Sequence, residues 1–180
     1  MKVLIIPGSV RPNSINHVVM PYVEKELAAH SDVEFAVASL DDIRLPYYDA
    51  PTPPSAEGFE ATDDAVKAWT EKVGAYDAYV FVVPEYNHSM SAIQKNAIDW
   101  VFKEWNGKKA AVVAYNWYDD KHAVDTLRAV LPIVKLELVE PIAGLKFGAD
   151  LMPDGSILDE PALVAKIHAA IEALVEAPAA

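Results

Sequence analysis

Two short segments of the 180-residue sequence carry side chains suited to binding a small polar ligand. The first, Gly8–Asn16, reads GSVRPNSIN and contains two serines, two asparagines and one arginine. The second, Pro84–Ser89, reads PEYNHS. Hydroxyl, amide and guanidinium groups donate hydrogen bonds, so the first segment has the chemistry of an anion site. The aromatic ring, amide and carboxylate of the second segment suit a flat ligand with polar edges.

The apolar pattern predicts the elements that must hold these segments. Short, continuous apolar runs rich in β-branched residues are typical of strands buried on both faces of a parallel sheet. Apolar residues spaced three and four apart predict helices between them. The predicted strands are 3–6, 33–38, 79–83, 110–115 and 136–139, and the predicted helices cover about 15–27, 62–74, 92–105, 122–135 and 160–175.

The alternation of strands and helices favours an α/β domain with a parallel sheet between two layers of helices. Five strands suit the flavodoxin-like three-layer sandwich with strand order 2-1-3-4-5. We assign residues 1–176 to this single domain and residues 177–180 to a frayed tail. Ligands bind such sheets beyond the carboxyl ends of the strands, where the strand order reverses. The two polar segments follow the first and third strands, so the fold predicts that they form one site.

Composition points to a small ligand. Acidic residues outnumber basic ones 27 to 15, which gives a net charge of −12 and disfavours binding to nucleic acid or to an anionic membrane. The apolar runs are far shorter than the ~20 residues of a membrane-spanning helix. Val3–Ile6 is also too short for the apolar core of a signal peptide. We therefore expect a soluble, cytoplasmic protein.

Several chemistries are excluded by residues that the sequence lacks. It has no cysteine, which removes thiolate nucleophiles, including those of phosphatases with a similar topology. It has no lysine between Lys2 and Lys25, so the phosphate loop of nucleoside triphosphatases is missing. Gly8 has no glycine partners downstream, so the dinucleotide-binding fingerprint is missing as well. The scattered histidines predict no metal site, and no catalytic side chain is assigned.

Each polar segment also has a plainer interpretation. The first is then an ordinary turn from strand to helix, with Ser14 as the helix cap and Arg11 hydrated. The second is then a surface loop in which Glu85 and His88 are hydrated. The position of both segments at the ends of buried strands favours the binding site.

Three motifs together resemble a known family. They are Gly8-Ser9-x-Arg11-x-x-Ser14-x-Asn16, Pro84-Glu85-Tyr86-Asn87, and the sequence KNAIDW over residues 95–100. In order and spacing they resemble the NADPH-dependent FMN reductases, flavodoxin-like enzymes that reduce quinones, azo dyes and chromate. The resemblance is firm over about the first 105 residues and rests on strand and helix order beyond them.

The resemblance implies FMN as cofactor and assigns residues to it. The first segment would bind the phosphate and ribityl chain, and the second would line the isoalloxazine ring. The loop after the fourth strand would contribute further contacts. The cofactor-binding residues predicted in this way are Ser9, Arg11, Ser14, Ile15, Asn16, Pro84, Glu85, Tyr86, Asn87, Asn116 and Trp117.

The loop after the fourth strand departs from the family pattern. Many members have a glycine-rich loop there, whereas this chain has Tyr115-Asn116-Trp117-Tyr118-Asp119-Asp120 and no glycine between Gly107 and Gly144. Bulky residues do not take the conformations open to glycine, so a close approach of this backbone to the flavin is harder. Two interpretations stay open: Trp117 and Tyr118 cover the ring, or they narrow the substrate pocket.

The resemblance also implies an activity. NADPH or NADH would reduce FMN and leave, and a quinone or another small acceptor would then collect two electrons in a ping-pong cycle. A homodimer or homotetramer would form through the helix carrying Trp100, unless that residue is a core aromatic. The proline-rich segment Leu40–Gly58, which contains Tyr47 and Tyr48, either helps to form the substrate pocket or is a surface loop. The alternative to an enzyme is a non-catalytic flavodoxin-like flavin-binding protein or electron carrier.

Overall fold

The computed structural model describes residues 1–177, so residues 178–180 of the predicted tail lie outside the described residues. Six strands and six helices follow one another along this part of the chain. The strands are β1 (Lys2–Pro7), β2 (Glu34–Val37), β3 (Ala78–Pro84), β4 (Lys109–Asn116), β5 (Glu137–Leu138) and β6 (Ala143–Lys146). The helices are α1 (Asn16–Ala28), α2 (Leu40–Ile43), α3 (Asp64–Gly74), α4 (Ala92–Asp99), α5 (Ala123–Val130) and α6 (Glu160–Glu176).

All the strands are parallel, and their order is β2-β1-β3-β4-β5, which confirms the predicted flavodoxin-like arrangement. Alternate residues of one strand point to opposite faces of the sheet. Leu4 and Ile6 pack in one apolar core with α3, α4 and α5, while Val3 and Ile5 pack in a second core with α1 and α6. The two cores explain why β1 and β3 are apolar without interruption.

The sheet edge beside β4 differs from the predicted single strand. β5 has only two residues and pairs with Lys109 and Ala110, whereas β6 pairs with the second half of β4, from Val113 to Asn116. The sheet therefore has six strands, and two short ones share the position beside β4. Pro141 lies between them and has no N–H group to donate to a ladder. The sequence of β6, AGLK, has only four residues, and two of them have small side chains, so it does not predict a strand.

Helix boundaries follow the local capping chemistry. Asp63 and Ser91 cap α3 and α4 with their side chains. α1 begins at Asn16 with Ile15 at its cap position, so the prediction of Ser14 as cap was one residue early. The helix predicted over 122–135 is shorter than expected, because Pro132 helps to turn its end into a 3-10 helix over Leu131–Val134.

Two more segments differ from the prediction, one because a helix is interrupted and the other because a short helix forms in a predicted loop. α4 ends at Asp99, and residues 103–105 form a separate 3-10 turn, so the predicted helix over 92–105 is interrupted. The proline-rich segment contains the one-turn helix α2, which the sequence did not predict. Over residues 1–177, no helix has the length and the apolar character needed to cross a bilayer.

Candidate functional site

Side chains join the loop after β1 to the loop after β3. Ser9 Oγ lies 2.6 Å from the Tyr86 hydroxyl oxygen. Asn16 Nδ2 donates a hydrogen bond to the Ser9 carbonyl oxygen at 2.9 Å and so folds the first loop back on itself. Two hydroxyls that share one hydrogen bond use only one of their two hydrogens. The Ser9–Tyr86 pair therefore keeps one hydrogen for a ligand.

Tyr115, near the end of β4, anchors the far side of the same loop. Its hydroxyl donates to Asn16 Oδ1 at 2.8 Å and lies 3.1 Å from Ser14 Oγ. Ser14 Oγ also accepts from the Asn16 backbone N–H at 3.2 Å. Burial raises the pKa of Tyr115, so its hydroxyl stays protonated at neutral pH and remains a donor. The loop that follows β1 is thus tied through Ser14 and Asn16 to the end of β4.

Arg11 supplies a positive charge at this loop. Within residues 1–177 its guanidinium pairs with no carboxylate and lies 6.0 Å from the centre of the Tyr86 ring. Arg128, by contrast, contacts Asp120, Asp125 and Glu140. The first turn of the neighbouring helix α1 contains no acidic residue. The helix dipole and Arg11 would therefore both favour an anion at the loop.

Gly8 allows the first loop to lie against the start of α4. A Cβ atom at Gly8 would come within 2.8 Å of three side-chain atoms of Gln94, which is fully buried. Gln94 Nε2 donates to the Ile6 carbonyl oxygen at 3.2 Å. Ser91 Oγ donates to the Gly8 carbonyl oxygen and also accepts from the Gln94 backbone N–H. A side chain larger than hydrogen at position 8 would displace this contact.

The loop after β3 is a tight two-residue turn. The backbone groups of Tyr86 and Ser89 exchange hydrogen bonds of 2.9 and 3.1 Å. Asn87 and His88 between them have φ values of 52° and 62°, as a type I′ turn requires. Asparagine and histidine are among the residues that enter the left-handed region more readily. The turn holds Tyr86 towards Ser9 and leaves His88 exposed.

Glu85 sits at the base of this turn with a buried carboxylate oxygen. Its Oε2 atom has no hydrogen-bond partner among the described residues. Burial raises the pKa of Glu85, while the nearby imidazoles of His122 and His88 act in the opposite direction. Such an orphaned acceptor is suited to a ligand that brings an N–H or O–H donor.

The loop after β4 is held by its own side chains and by β6. Asn116 Nδ2 donates to the Asp119 carbonyl oxygen at 2.8 Å, so this buried amide shapes the turn. Lys146 Nζ lies 3.2 Å from Asp119 Oδ2. A Cβ atom at Gly144 would lie 2.9 Å from the Asp120 backbone nitrogen. The glycine that allows close packing is thus on β6 and not within the loop.

The two aromatic side chains of this loop point to different neighbours. Trp117 is half exposed and meets Phe147 edge-on, with ring centroids 5.5 Å apart. Tyr118 meets His88 edge-on at 5.1 Å and His122 at 4.6 Å. Of these two side chains, Tyr118 is therefore the one that spans the gap between the loops after β3 and β4. Trp117 packs against the segment that follows β6.

A cavity of about 380 Å³ opens between the first loop, the start of α4 and the proline-rich segment. Its lining includes Arg11 and Tyr86 from the loops after β1 and β3, and Leu45 and Tyr47 from the proline-rich segment. Tyr47 is 85% exposed, so it forms a rim and not a core contact. The lining of the cavity combines apolar surface with a few hydrogen-bonding groups, as small-molecule sites do.

Most of the predicted residues lie at the carboxyl ends of β1, β3 and β4. Those that are joined by direct contacts are Ser9, Arg11, Ser14, Asn16 and Tyr86. Glu85 and Asn87 lie in the same turn as Tyr86, and Pro84 is the buried end of β3. Ile15 faces the core, and Asn116 is used within its own loop. Trp117 lies apart from this group. A role in binding the cofactor stays a prediction for all of them.

Sequence reasoning missed Tyr115 and the contact between His88 and His122. The Tyr115 hydroxyl reaches residues 99 and 101 positions earlier in the chain. The imidazoles of His88 and His122 stack at 3.9 Å although 34 residues separate them (122 − 88). All three residues lie at or after the ends of the neighbouring strands β3 and β4. The predicted strand order was the signal that could have brought them together.

Comparisons with known proteins show which sequences and which fold this chain resembles. The family model described as NADPH-dependent FMN reductase matches residues 1–148. An NAD(P)H-dependent FMN reductase of Saccharomyces cerevisiae is 32% identical over 175 residues, covering 89% of this chain and 92% of that protein. A quinone reductase of Escherichia coli is 40% identical over 101 residues, covering 56% of this chain and 50% of that protein. The structure of the flavoenzyme NAD(P)H:(acceptor) oxidoreductase FerB from Paracoccus denitrificans superposes with a TM-score of 0.73, at 25% identity and 97% coverage of both chains.

Proposed function

Because the chain belongs to the NADPH-dependent FMN reductase family, we propose that it acts as an FMN-dependent NAD(P)H oxidoreductase that reduces quinone-like small acceptors in a ping-pong cycle. The observation that carries this proposal is the joined pair of loops after β1 and β3. They present an unpaired guanidinium, a helix N-terminus and a free hydroxyl hydrogen on one side, and an orphaned carboxylate oxygen on the other.

The donor set fits a flavin mononucleotide. A phosphate monoester needs several donors and positive charge, which Ser9, Arg11, Ser14 and the start of α1 supply. The orphaned Glu85 oxygen would accept from an N–H or O–H group of the ligand. We assign Tyr86 and Asn87 to the edge of the isoalloxazine ring. Asn116 and Ile15 would act indirectly, because their side chains shape the loop and pack in the core.

The protein's part in the reaction is orientation and exclusion of water. When bound, FMN would supply the hydride-transfer chemistry, which requires no side-chain nucleophile. The hydrogen bonds from Ser9 to Tyr86 and from Tyr115 to Asn16 hold the loops rigid before a ligand binds. Little conformational entropy is therefore lost on binding. Arg11 fixes the anionic end and thereby the position of the ring.

The cavity beside Arg11 is our candidate for the acceptor and nicotinamide pocket. Its volume of about 380 Å³ suits one ring system. Tyr47 and Tyr86 in its lining offer aromatic rings on which a flat acceptor could stack. The proline-rich segment would therefore form part of the pocket.

We propose a homodimer or homotetramer as the working assembly. Trp100 is buried in its own chain, where its Nε1 donates to the Pro46 carbonyl oxygen at 2.8 Å and Tyr48 packs edge-on at 4.9 Å. It is thus a core aromatic, and we assign the contact between subunits to the exposed apolar rim around Tyr47 and Val10 instead. Sedimentation velocity of wild type and Tyr47→Ser tests this assignment, and an unchanged monomer in both would reject it.

One experiment separates the enzyme from a carrier. The purified protein is incubated with excess FMN and desalted, and its visible spectrum is compared with its steady-state oxidation of NADPH and NADH with a quinone. Retained flavin with saturable turnover is expected. Retained flavin without turnover would favour the carrier, and loss of flavin would reject the cofactor assignment.

A further inference from the structure

The cavity proposed for the acceptor is bounded in part by a short arm of the proline-rich segment, residues 46–48. Tyr47, at the centre of this arm, lines the cavity and is 85% exposed. Within the described part of the chain its side chain makes no hydrogen bond and no ring contact, so contacts of its own do little to fix its position. The groups that hold Tyr47 at the cavity must therefore act on the backbone of the arm.

Asn96 on α4 holds the backbone on both sides of Tyr47. Its Nδ2 atom donates to the Pro46 carbonyl oxygen at 2.8 Å. Its Oδ1 atom accepts from the Tyr48 backbone N–H at 2.9 Å. An amide side chain carries both a donor and an acceptor, so one residue can hold both neighbours of Tyr47. The proline ring also fixes φ at Pro46, which further limits the backbone before Tyr47.

Trp100, directly after the end of α4, holds the arm at two further points. Its Nε1 atom donates to the same Pro46 carbonyl oxygen at 2.8 Å, so two donors share this acceptor. Its ring meets the Tyr48 ring edge-on, with centroids 4.9 Å apart. Asn96 and Trp100 thus form a clamp on the arm. Of the two, only Asn96 lines the cavity.

The helix α4 also holds the loop after β1, which lines the same cavity. Ser91, at the helix N-terminus, donates to the Gly8 carbonyl oxygen, and Gly8 lies against the buried amide of Gln94. Gly8, Ser91 and Asn96 all belong to the lining of the cavity. The spacing between the loop after β1 and the arm is therefore determined by one helix.

A flat acceptor gains from an aromatic ring that is held in place before it binds. Stacking requires the two ring faces to meet, and a ring that is already positioned loses less conformational entropy on binding. We propose that Asn96 and Trp100 are positioning residues, which hold the Tyr47 ring at the cavity and so make the site selective for flat aromatic acceptors such as naphthoquinones. A compact acceptor that does not stack gains nothing from the clamp. This inference rests on the proposed function.

The first test follows the arm in the flavin-free protein. Amide hydrogen exchange, observed by NMR, measures how often the Tyr48 N–H is released from its acceptor. Trp100→Phe keeps that acceptor and a buried ring but removes one donor to the arm. We expect Tyr48 to exchange about three- to tenfold faster, as for the loss of one hydrogen bond. Trp69→Phe is the matched control and should leave Tyr48 unchanged, because its Nε1 donates at 2.8 Å to the Ala97 carbonyl oxygen, outside the arm.

The second test mixes the FMN-loaded, reduced protein with two acceptors and measures the second-order rate constant for each. Menadione is a flat naphthoquinone, whereas ferricyanide is an octahedral ion that does not stack. In Trp100→Phe we expect the ratio of the menadione constant to the ferricyanide constant to fall about five- to tenfold, as for a lost ring contact. Trp69→Phe should keep the wild-type ratio.

A double variant shows whether the clamp acts through the ring of Tyr47. Tyr47→Leu removes the ring and keeps an apolar side chain. We expect Tyr47→Leu and Asn96→Ala to lower the ratio by similar factors, and the double variant to lower it no further, because both changes remove one contact. Additive effects would show that Asn96 contacts the acceptor by itself and would overturn the proposal. A fall in the ratio that accompanies dissociation of subunits, seen by sedimentation velocity, would assign the arm to the subunit contact and overturn it as well.

The remaining outcomes separate this inference from the proposed function. If Tyr48 exchanges at the wild-type rate in Trp100→Phe, the clamp does not hold the arm and the inference is wrong. If the menadione and ferricyanide constants fall by the same factor, the clamp acts on the flavin and not on a stacked acceptor, which also rejects the inference. If the wild-type protein retains no flavin, the proposed function fails and the acceptor role with it, whereas faster exchange of Tyr48 would still support the clamp.

Discussion

The loop after β1 and the loop after β4 lie at the same edge of the sheet but are built in different ways. The first is held by hydroxyl and amide groups on separate strands, as in the contacts of Ser9 with Tyr86 and of Asn16 with Tyr115. The second is held by charges and by a small neighbour, through Lys146, Arg128 and Gly144. The first loop leaves donors for a ligand, whereas the second uses its polar groups internally. Binding chemistry and loop scaffolding are thus divided between two strand ends.

Replacing Gly144 with Ala breaks the scaffold of the second loop. The new methyl group would lie 2.9 Å from the Asp120 nitrogen and 3.0 Å from the Asp119 carbonyl carbon, both backbone atoms that a rotamer change does not move. We expect a loss of about 1–3 kcal/mol in the free energy of unfolding, measured by urea titration. Gly74→Ala is the control, because its methyl group would meet only the Glu104 side chain, at 3.3 Å. Equal stability of the two variants would contradict the division.

Replacing Arg11 with Gln tests the binding role of the first loop. Removing a charged donor from a phosphate contact is expected to weaken FMN binding about 10- to 100-fold, measured by fluorescence titration, with stability unchanged. Arg44→Gln removes the same charge from an exposed position and is the matched control. If both variants lose the same affinity, Arg11 acts through net charge and not through contact.

Replacing Tyr118 or Trp117 separately sharpens the comparison, because only Tyr118 contacts the loop after β3. If bulky rings obstruct the flavin, Tyr118→Ala should tighten FMN binding about three- to tenfold, since a ring contact across the gap no longer competes with the ligand. Trp117→Ala should change the affinity little. Unchanged affinity in both variants, and in the double variant, would show that this loop does not obstruct the site.

The smallest effect is expected from Glu85→Gln. Burial raises the pKa of Glu85, so its ionised form is less favourable in the folded state than in the unfolded state. The contribution of this group to stability is therefore present below its unfolded pKa and is lost as the pH rises through its folded pKa. We expect the variant to be more stable than wild type at neutral pH, with the difference vanishing in acid. Glu57→Gln, on an exposed loop, should show no such pH dependence.

The sequence predicted the strands β1 and β3 and the loops that follow them, because the signals for a buried strand and for its polar end are local. Val3–Ile6 is apolar without interruption, and Gly8 to Asn16 follow it directly. The split edge at β5 and β6 was missed, because two- and four-residue strands carry no measurable periodicity.

The stack of His88 on His122 was missed for a different reason. Both residues have a positive φ, 62° at His88 and 51° at His122. No pattern in the sequence encodes these angles. Tertiary packing decided what local preference could not.

The bond between the Ser91 side chain and the Gly8 carbonyl also bears on how the protein folds. It joins positions 83 residues apart, and the Ser14–Tyr115 contact spans 101. Contacts of such long sequence separation form only after large loops have closed, and they slow folding. A growing chain that ends before β4 lacks Tyr115, so nothing yet anchors Ser14 and Asn16 in the loop after β1. Acquisition of a tightly bound ligand at this loop would report that β1, β3 and β4 have come together, in the test tube and during synthesis.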